Sequence, residues 1–255
     1  MGVKSIRMIR AGEHGEIPGP ELFWMRDFEA WYPLHFYVVV IETEKGYVLI
    51  NTGLVRDLER RNQFLKQWAG GGRCRFSSFG ELPDLLRPLQ IPPDRVTDVL
   101  ITPVQDYTLG GLPYLKRATI HFSRRGWYND VVSPGVAPFL DREIYFPRYI
   151  REYLFEEAWD RISLVEDQEV LQGVSVKWTG CHHRSSMAVM VDSPIGRYCF
   201  TDAAFVWRNL QDNLPIGIAE DIYECLDSYK YLKEVCPKVV PAYDPDNPIR
   251  FPELF

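Results

Sequence analysis

Ile101-Thr102-Pro103-Val104-Gln105-Asp106-Tyr107-Thr108-Leu109-Gly110-Gly111 decides the reading of this chain. The stretch follows Val96–Ile101, which closes on the apolar triplet Val99-Leu100-Ile101 just before Pro103, as a central strand feeding a site loop does. Working outward, residues 36–42 and 46–51 read as two apolar strands joined by a polar turn at residues 42–45. Leu54, Leu58, Leu65 and Trp68 then recur at helical spacing until Gly70-Gly71-Gly72 ends the helix. Further strands are expected at 118–122, 174–178, 188–192, 197–201 and 238–242. A helix should start at Pro147 with Ile150, Tyr153, Leu154 and Trp159 inward. The strongest helix is expected over 218–236, with Ile218, Ile222, Cys225, Leu226 and Tyr229 on one stripe and Pro237 as its stop. Strands then helices, repeated in two halves, suit two sheets packed face to face with helices outside. No linker or low-complexity tract interrupts residues 1–255, so one domain is expected.

Composition narrows the class. The chain has 255 residues, 46% hydrophobic content and a net charge of −6, an ordinary globular balance. It has no basic patch or arm for nucleic acid. Its longest apolar run, Phe36 to Ile41, is too short to span a membrane. The start Met-Gly-Val-Lys-Ser-Ile-Arg lacks a signal-peptide core, and Ile6 stands where a myristoylation signal wants Ser or Thr. The five cysteines, Cys74, Cys181, Cys199, Cys225 and Cys236, are odd in number, with no Cys-x-x-Cys. That pattern implies a reducing, cytoplasmic setting without a disulfide scaffold, and Cys199 and Cys225 read as small buried hydrophobes.

The 101–111 stretch resembles the metal-binding turn of the metallo-β-lactamase superfamily, Thr-His-x-His-x-Asp-His-x-Gly-Gly, without a gap. Other segments resemble the family in order. Residues 46–54, with Asn51, correspond to a strand ending in Asp-Thr-Gly; residues 180–190 to Gly-His-Thr/Ser-Pro-Gly-His/Ser-x-Ser. Residues 196–205 correspond to the strand delivering a bridging Asp, and 239–252 to the closing segment, with Tyr243 at its last His. Order and spacing resemble the N-acyl-homoserine-lactone lactonase branch from about residue 35 onward. The resemblance implies an αββα sandwich, two mixed sheets flanked by helices.

It also implies where a site would lie. The family's two-metal centre, built from His and Asp side chains, holds a substrate carbonyl and makes a hydroxide nucleophile. The corresponding residues here are Pro103, Gln105, Tyr107, Thr108, Cys181, Asp202 and Tyr243, of which only Asp202 is retained. Phe205 stands where lactonases of the branch place a substrate-polarising Tyr. Proline and threonine cannot replace imidazole, since zinc is held by His nitrogen, Cys sulfur or carboxylate oxygen. No zinc cofactor is therefore expected, with weak single-metal binding through a slipped His182 as the alternative. A buried Asp202 needs partners; Tyr107, Thr108 and Tyr243 are the expected donors, and Arg184 a candidate cation. Tyr107 and Tyr243 are expected to occupy the former metal volume.

Other residues read more plainly. His182 and His183 fit loop or surface positions, and His35 and His121 structural ones. Cys181 beside His182 offers a thiol and a base, yet neighbours in an extended loop point apart. Asp106 is expected to cap a turn facing away from the site. The aromatics Phe23, Trp24, Phe28, Trp31, Tyr32, Phe36 and Tyr37 suit core, a ligand pocket or a subunit contact.

Three functions are expected from these residues, one of them a hydrolase with a single weakly held metal. A second is a catalytically silent subunit or ligand-binding protein, pairing with itself or with an active homologue, with Gln105, Thr108, Cys181, Arg184 and Phe205 lining a small-molecule pocket. Another is a hydrolase or lyase for a small lactone, ester or ether, using Asp202 with Tyr107, Tyr243 or His182 and no dinuclear zinc.

Overall fold

In the computed structural model residues 2–68, 72–133 and 141–255 are described. Twelve strands form two sheets among them. The larger runs β4-β1-β2-β3-β5-β6-β7 and the smaller β12-β11-β10-β9-β8. In chain order the first seven are β1 (Val3–Pro18), β2 (Trp31–Thr43), β3 (Tyr47–Ile50), β4 (Cys74–Ser78), β5 (Val96–Ile101), β6 (Thr119–Ser123) and β7 (Ile162–Val165). The smaller sheet uses β8 (Gln168–Leu171), β9 (Val174–Trp178), β10 (Met187–Ser193), β11 (Gly196–Thr201) and β12 (Lys238–Pro241). Both sheets are mixed: β1–β2–β3 pair antiparallel and β3–β5–β6–β7 parallel, while β11–β12 is the parallel pair of the smaller sheet.

The unbroken apolar run of β2 follows from cover on both faces. Its alternate residues Val39 and Ile41 pack between the sheets with Ile6, Met8, Val48, Ile50 and Leu100. Val176, Met187, Val189, Val191, Tyr198 and Phe200 of the smaller sheet meet them there. Val38 and Val40 face outward into a second cluster with the helix residues Leu65, Leu82, Leu85 and Leu86. The smaller sheet turns Ala188, Cys199 and Val239 outward to the same cluster, which includes Cys225, Tyr229 and Leu232 of the helix Ile222–Val235. Helices thus flank two sheets packed face to face, the expected αββα order.

Local departures have local causes. The long first strand has no counterpart in the sequence reading, because three register irregularities and outward Arg7, Arg10 and Glu16 break its alternation. The helix expected from Leu54 begins only at Glu59. Before it, the backbone is committed to the 101–111 loop: Thr52 N–H donates to Thr108 O, Val55 N–H to Asp106 O, and Gly110 N–H to Gly53 O. Gly70 and Gly71 of the expected stop lie outside the described residues. The 218–236 helix starts later, at Ile222, because Asp221 accepts from the N–H groups of Tyr223 and Glu224 and caps it. Ile218 and Leu226 consequently lie partly in solvent rather than on the inner stripe, and so does Trp159. Of the early aromatics, Phe23, Phe36 and Tyr37 are core, while Trp24 and Phe28 are exposed.

Candidate functional site

Four strand ends converge on one place. The loop after β5 brings Thr102–Gly111, the β9–β10 connection brings residues 179–186, β11 leads directly into Asp202, and β12 runs on toward Tyr243. Asn51, at the end of β3, adopts a left-handed conformation with φ 62°. Its amide holds the β5 exit from both sides, donating to Thr102 O and accepting from Thr102 N–H, each at 2.9 Å. A carboxylate there could only accept, which accounts for an amide where the family has Asp.

Asp202 is buried to 1% exposure and fully engaged. Its Oδ2 accepts from Ser186 Oγ at 2.5 Å and from His182 Nδ1 at 3.1 Å. Its Oδ1 lies 3.2 Å from Thr102 Oγ1, which also accepts from Met187 N–H. The contact with the carboxylate assigns the proton of His182 to Nδ1. Burial, and then the neighbouring His183, lower the His182 pKa to about 4 although Asp202 opposes this, so the imidazole is neutral near pH 7.

Aromatic rings occupy the centre. Tyr107 stacks on Phe36 with centroids 4.9 Å apart and meets Tyr243 edge to face at 5.8 Å. Phe205 packs between Tyr243, at 4.9 Å, and His182, at 4.7 Å. Burial raises the Tyr107 and Tyr243 hydroxyl pKa values well above the usual phenol range, so both remain protonated. The Tyr243 hydroxyl is buried, and the group it faces is the Tyr107 hydroxyl, with no well-formed hydrogen bond to it among the described residues. The void beside Asp202, lined by Asn51, Thr102, Thr201 and Phe200, has a volume of about 30 Å³, space for a water but not for a substrate.

Several expected roles are corrected. Tyr107, Thr108 and Tyr243 do not donate to Asp202; Ser186, His182 and Thr102 take those places. Thr108 instead closes its own loop, its hydroxyl reaching Pro103 O at 2.7 Å and Gln105 O at 2.8 Å. Arg184 does not face Asp202: it binds Glu224 at 2.6 and 3.0 Å and Glu220 at 2.7 Å, beside the Trp178 ring. Cys181 offers no thiol, because it forms a disulfide with Cys225. The two were too far apart in sequence to be paired by spacing, and with them goes the cysteine argument for a reducing compartment. Asp106 is not a turn cap. It is buried against Arg61, which also donates to Gln105 Oε1 at 3.1 Å. Gln105 Nε2 in turn lies 3.2 Å from His183 Nε2. Arg61 gave no sign in the sequence, since a helical Arg ordinarily reads as solvated.

The donor set does not fit the family's two-metal centre. Pro103 has no ligand atom, Thr108 and Gln105 are neutral and already bonded, Cys181 is oxidised, and Tyr107 and Tyr243 keep their protons. Asp202 and His182 are the ligand types left, and they bind each other. Among the described residues no group of three His, Cys, Asp or Glu side chains is placed to hold a metal ion.

No protein-family model and no curated protein matches the sequence. Solved structures do match in shape. B. thuringiensis AiiA with N-decanoyl-L-homoserine bound at the active site superposes with a TM-score of 0.80 at 20% identity, covering 99% of each chain. An N-acyl homoserine lactone hydrolase with N-hexanoyl-L-homoserine at its catalytic metal centre gives the same values. AidC, a dizinc quorum-quenching lactonase, matches with a TM-score of 0.64 at 11% identity over 96% of this chain and 90% of its own. With its two mixed sheets flanked by helices, the chain has the metallo-β-lactamase fold, in the form shared with N-acyl homoserine lactonases.

Proposed function

We propose that this protein is a catalytically silent member of the fold that works by binding, as a subunit paired with itself or with an active homologue, or as a small-ligand binder. The engagement of Asp202 carries the reading. The one carboxylate retained from the metal set accepts from Ser186 and His182 and contacts Thr102, and stacked aromatic rings fill the space where a substrate would meet metal. A hydroxide nucleophile would have no set of metal ligands to generate it, and the void beside Asp202 has no room for a substrate.

A second reading is favoured by the His182–Asp202 contact. A neutral imidazole oriented by a carboxylate is the arrangement of a general base, and a hydrolase or lyase without zinc would use it, with Tyr107 or Tyr243 as proton donor. The burial of His182 to 3% exposure weighs against substrate access.

Metal analysis of protein purified without chelators, followed by turnover of a lactone and ester panel, tests both. Less than stoichiometric zinc and no turnover support the silent reading. Turnover abolished by His182→Ala would establish the second. A stoichiometric metal, with a saturable rise in melting temperature on zinc addition, would overturn both.

A further inference from the structure

We propose that Cys199 and Cys236 form a reactive dithiol, a modification site that closes into a second disulfide when the chain meets a low-molecular-weight disulfide such as oxidised glutathione. This goes beyond the reading of the Asp202 site and is measured without turnover.

The fold brings the two sulfurs together. Cys199 lies on β11, and Cys236 at the turn that leads from the helix Ile222–Val235 into β12. β11 and β12 pair in parallel, with Tyr198 opposite Lys238 and Cys199 opposite Val239. Both cysteines belong to the core cluster on the helix side of the smaller sheet. Cys236 Sγ reaches across to β11, 3.6 Å from Arg197 O, and lies 3.4 Å from Lys238 O. The side chain of Cys199, two residues on from Arg197, meets it there. A hydrogen bond joins the thiols, Cys199 donating and Cys236 accepting. Both are thiols in the structure, whereas Cys181 and Cys225, each 0% exposed, are already joined. Cys74 is buried too, but the group beside its sulfur is His14 Nδ1, at 3.5 Å, and not a thiol, so it is an internal control.

The pair is asymmetric, which sets the order of events. The hydrogen bond from Cys199, and less so the charge of Arg197, lower the pKa of Cys236; the same bond and burial raise that of Cys199. Cys236 also has the edge at the surface, 4% exposed against 0%. Its thiolate is therefore the attacking group. It displaces one sulfur of the small disulfide, the S–S bond breaks, and the departing thiolate takes up a proton, leaving a mixed disulfide on Cys236. Cys199 then gives up its proton and attacks Cys236 Sγ, which expels the second small thiol. The chain loses two protons and two electrons, and the small disulfide becomes two thiols. Because the sulfurs are already neighbours, the second displacement is intramolecular and outruns reversal of the first. Closure fastens the C-terminal end of the helix to β11, as Cys181–Cys225 fastens its first turn to the β9–β10 loop.

The test incubates the native full chain with oxidised glutathione in about tenfold excess over reduced, quenches with acid, and counts thiols after denaturation. Unreduced peptides are then mapped by mass spectrometry. The count should fall from three to one, with Cys199 and Cys236 recovered as one cross-linked peptide and Cys74 as the remaining thiol. The melting temperature should rise by roughly 10 °C, since closure constrains the unfolded chain between β11 and β12. Cys199→Ala should stop at the first step and keep one glutathione on Cys236, while Cys236→Ala should leave Cys199 a free thiol. A native wild-type count that stays at three would overturn the proposal. So would a stable mixed disulfide on wild-type Cys236, a cross-link to Cys74, or glutathione on Cys199 in Cys236→Ala. The wild-type count and map need no substitution, so a variant that fails to fold leaves the test intact.

Discussion

Arg61 closes on Asp106 through two hydrogen bonds, Nε to Oδ2 at 2.8 Å and Nη2 to Oδ1 at 2.7 Å, with side chains only 8% and 1% exposed. The pair ties the helix Glu59–Trp68 to the loop that in the family carries metal ligands. Its guanidinium also lies over the Phe76 ring, at 5.2 Å, beneath the aromatic centre. A metal-binding loop is held by its metal; here a buried ion pair and a run of backbone hydrogen bonds hold it.

Breaking that pair from one side should be expensive. Arg61→Met leaves Asp106 buried without a counter-charge and should cost about 3–5 kcal/mol, while Arg61→Met/Asp106→Leu should cost distinctly less. Urea denaturation of the two variants checks this. Equal losses would mean that packing, not charge, holds the loop.

Acid should destabilise the protein through His182. Its folded pKa of about 4 lies below the ordinary 6.5, so the unfolded chain takes up the proton first. The stabilisation is complete above about pH 6.5 and is lost as pH falls toward 4, up to about 3 kcal/mol at about 1.4 kcal/mol per unit. His14, held at about 3 by burial and by the charge of Arg61, adds to the same trend. Stability measured against pH should therefore fall through this window, and His182→Asn should flatten it. An unchanged slope in that variant would assign the acid sensitivity elsewhere.

The Cys181–Cys225 disulfide spans a sequence separation of 44 and pins the β9–β10 loop to the helix Ile222–Val235. Loop-closure entropy for that span corresponds to about 4 kcal/mol. The variant Cys181→Ala/Cys225→Ala should lose stability on that order. Thiol titration of the unreduced, denatured chain should find Cys74, Cys199 and Cys236 free and the other two blocked. Five reactive thiols would refute the pairing.

Asp202→Asn should cost only about 1–2 kcal/mol, because the amide oxygen still accepts from the neighbouring hydroxyls. Asp202→Leu removes every acceptor and strands Ser186 and His182, so it should cost more. Thermal unfolding of the two variants orders them, and the reverse order would show that the carboxylate is not the hub of this network.

Much of the architecture is legible in the chain. The period-two and continuous apolar runs around Phe36–Ile41, Val96–Ile101 and Met187–Val191 depend on local chemistry, and burying them almost dictates stacked sheets. Pro103, Gln105, Tyr107, Thr108 and Tyr243 are likewise legible as residues that differ from the ligand types the resemblance implies at those positions. The first strand was hidden because its bulges and outward charges erase the pattern that identifies a strand.

What meets at the candidate site was decided in three dimensions. Tyr107 and Tyr243 do meet there, yet Asp202 turns to Ser186, Thr102 and His182, because hydrogen bonds depend on which loop ends arrive within 3 Å, not on which residues replace which. Arg184 and Arg61 are alike as letters, but one answers Glu220 and Glu224 and the other Asp106. Cys181 and Cys225 become partners only when the β9–β10 loop and a distant helix bring their Cα atoms to 4.9 Å. Periodic burial is a property of neighbours along the chain and survives reading in one dimension. Pairing between separated polar groups is set by the packing of whole elements and emerges only once the sheets and helices have come together.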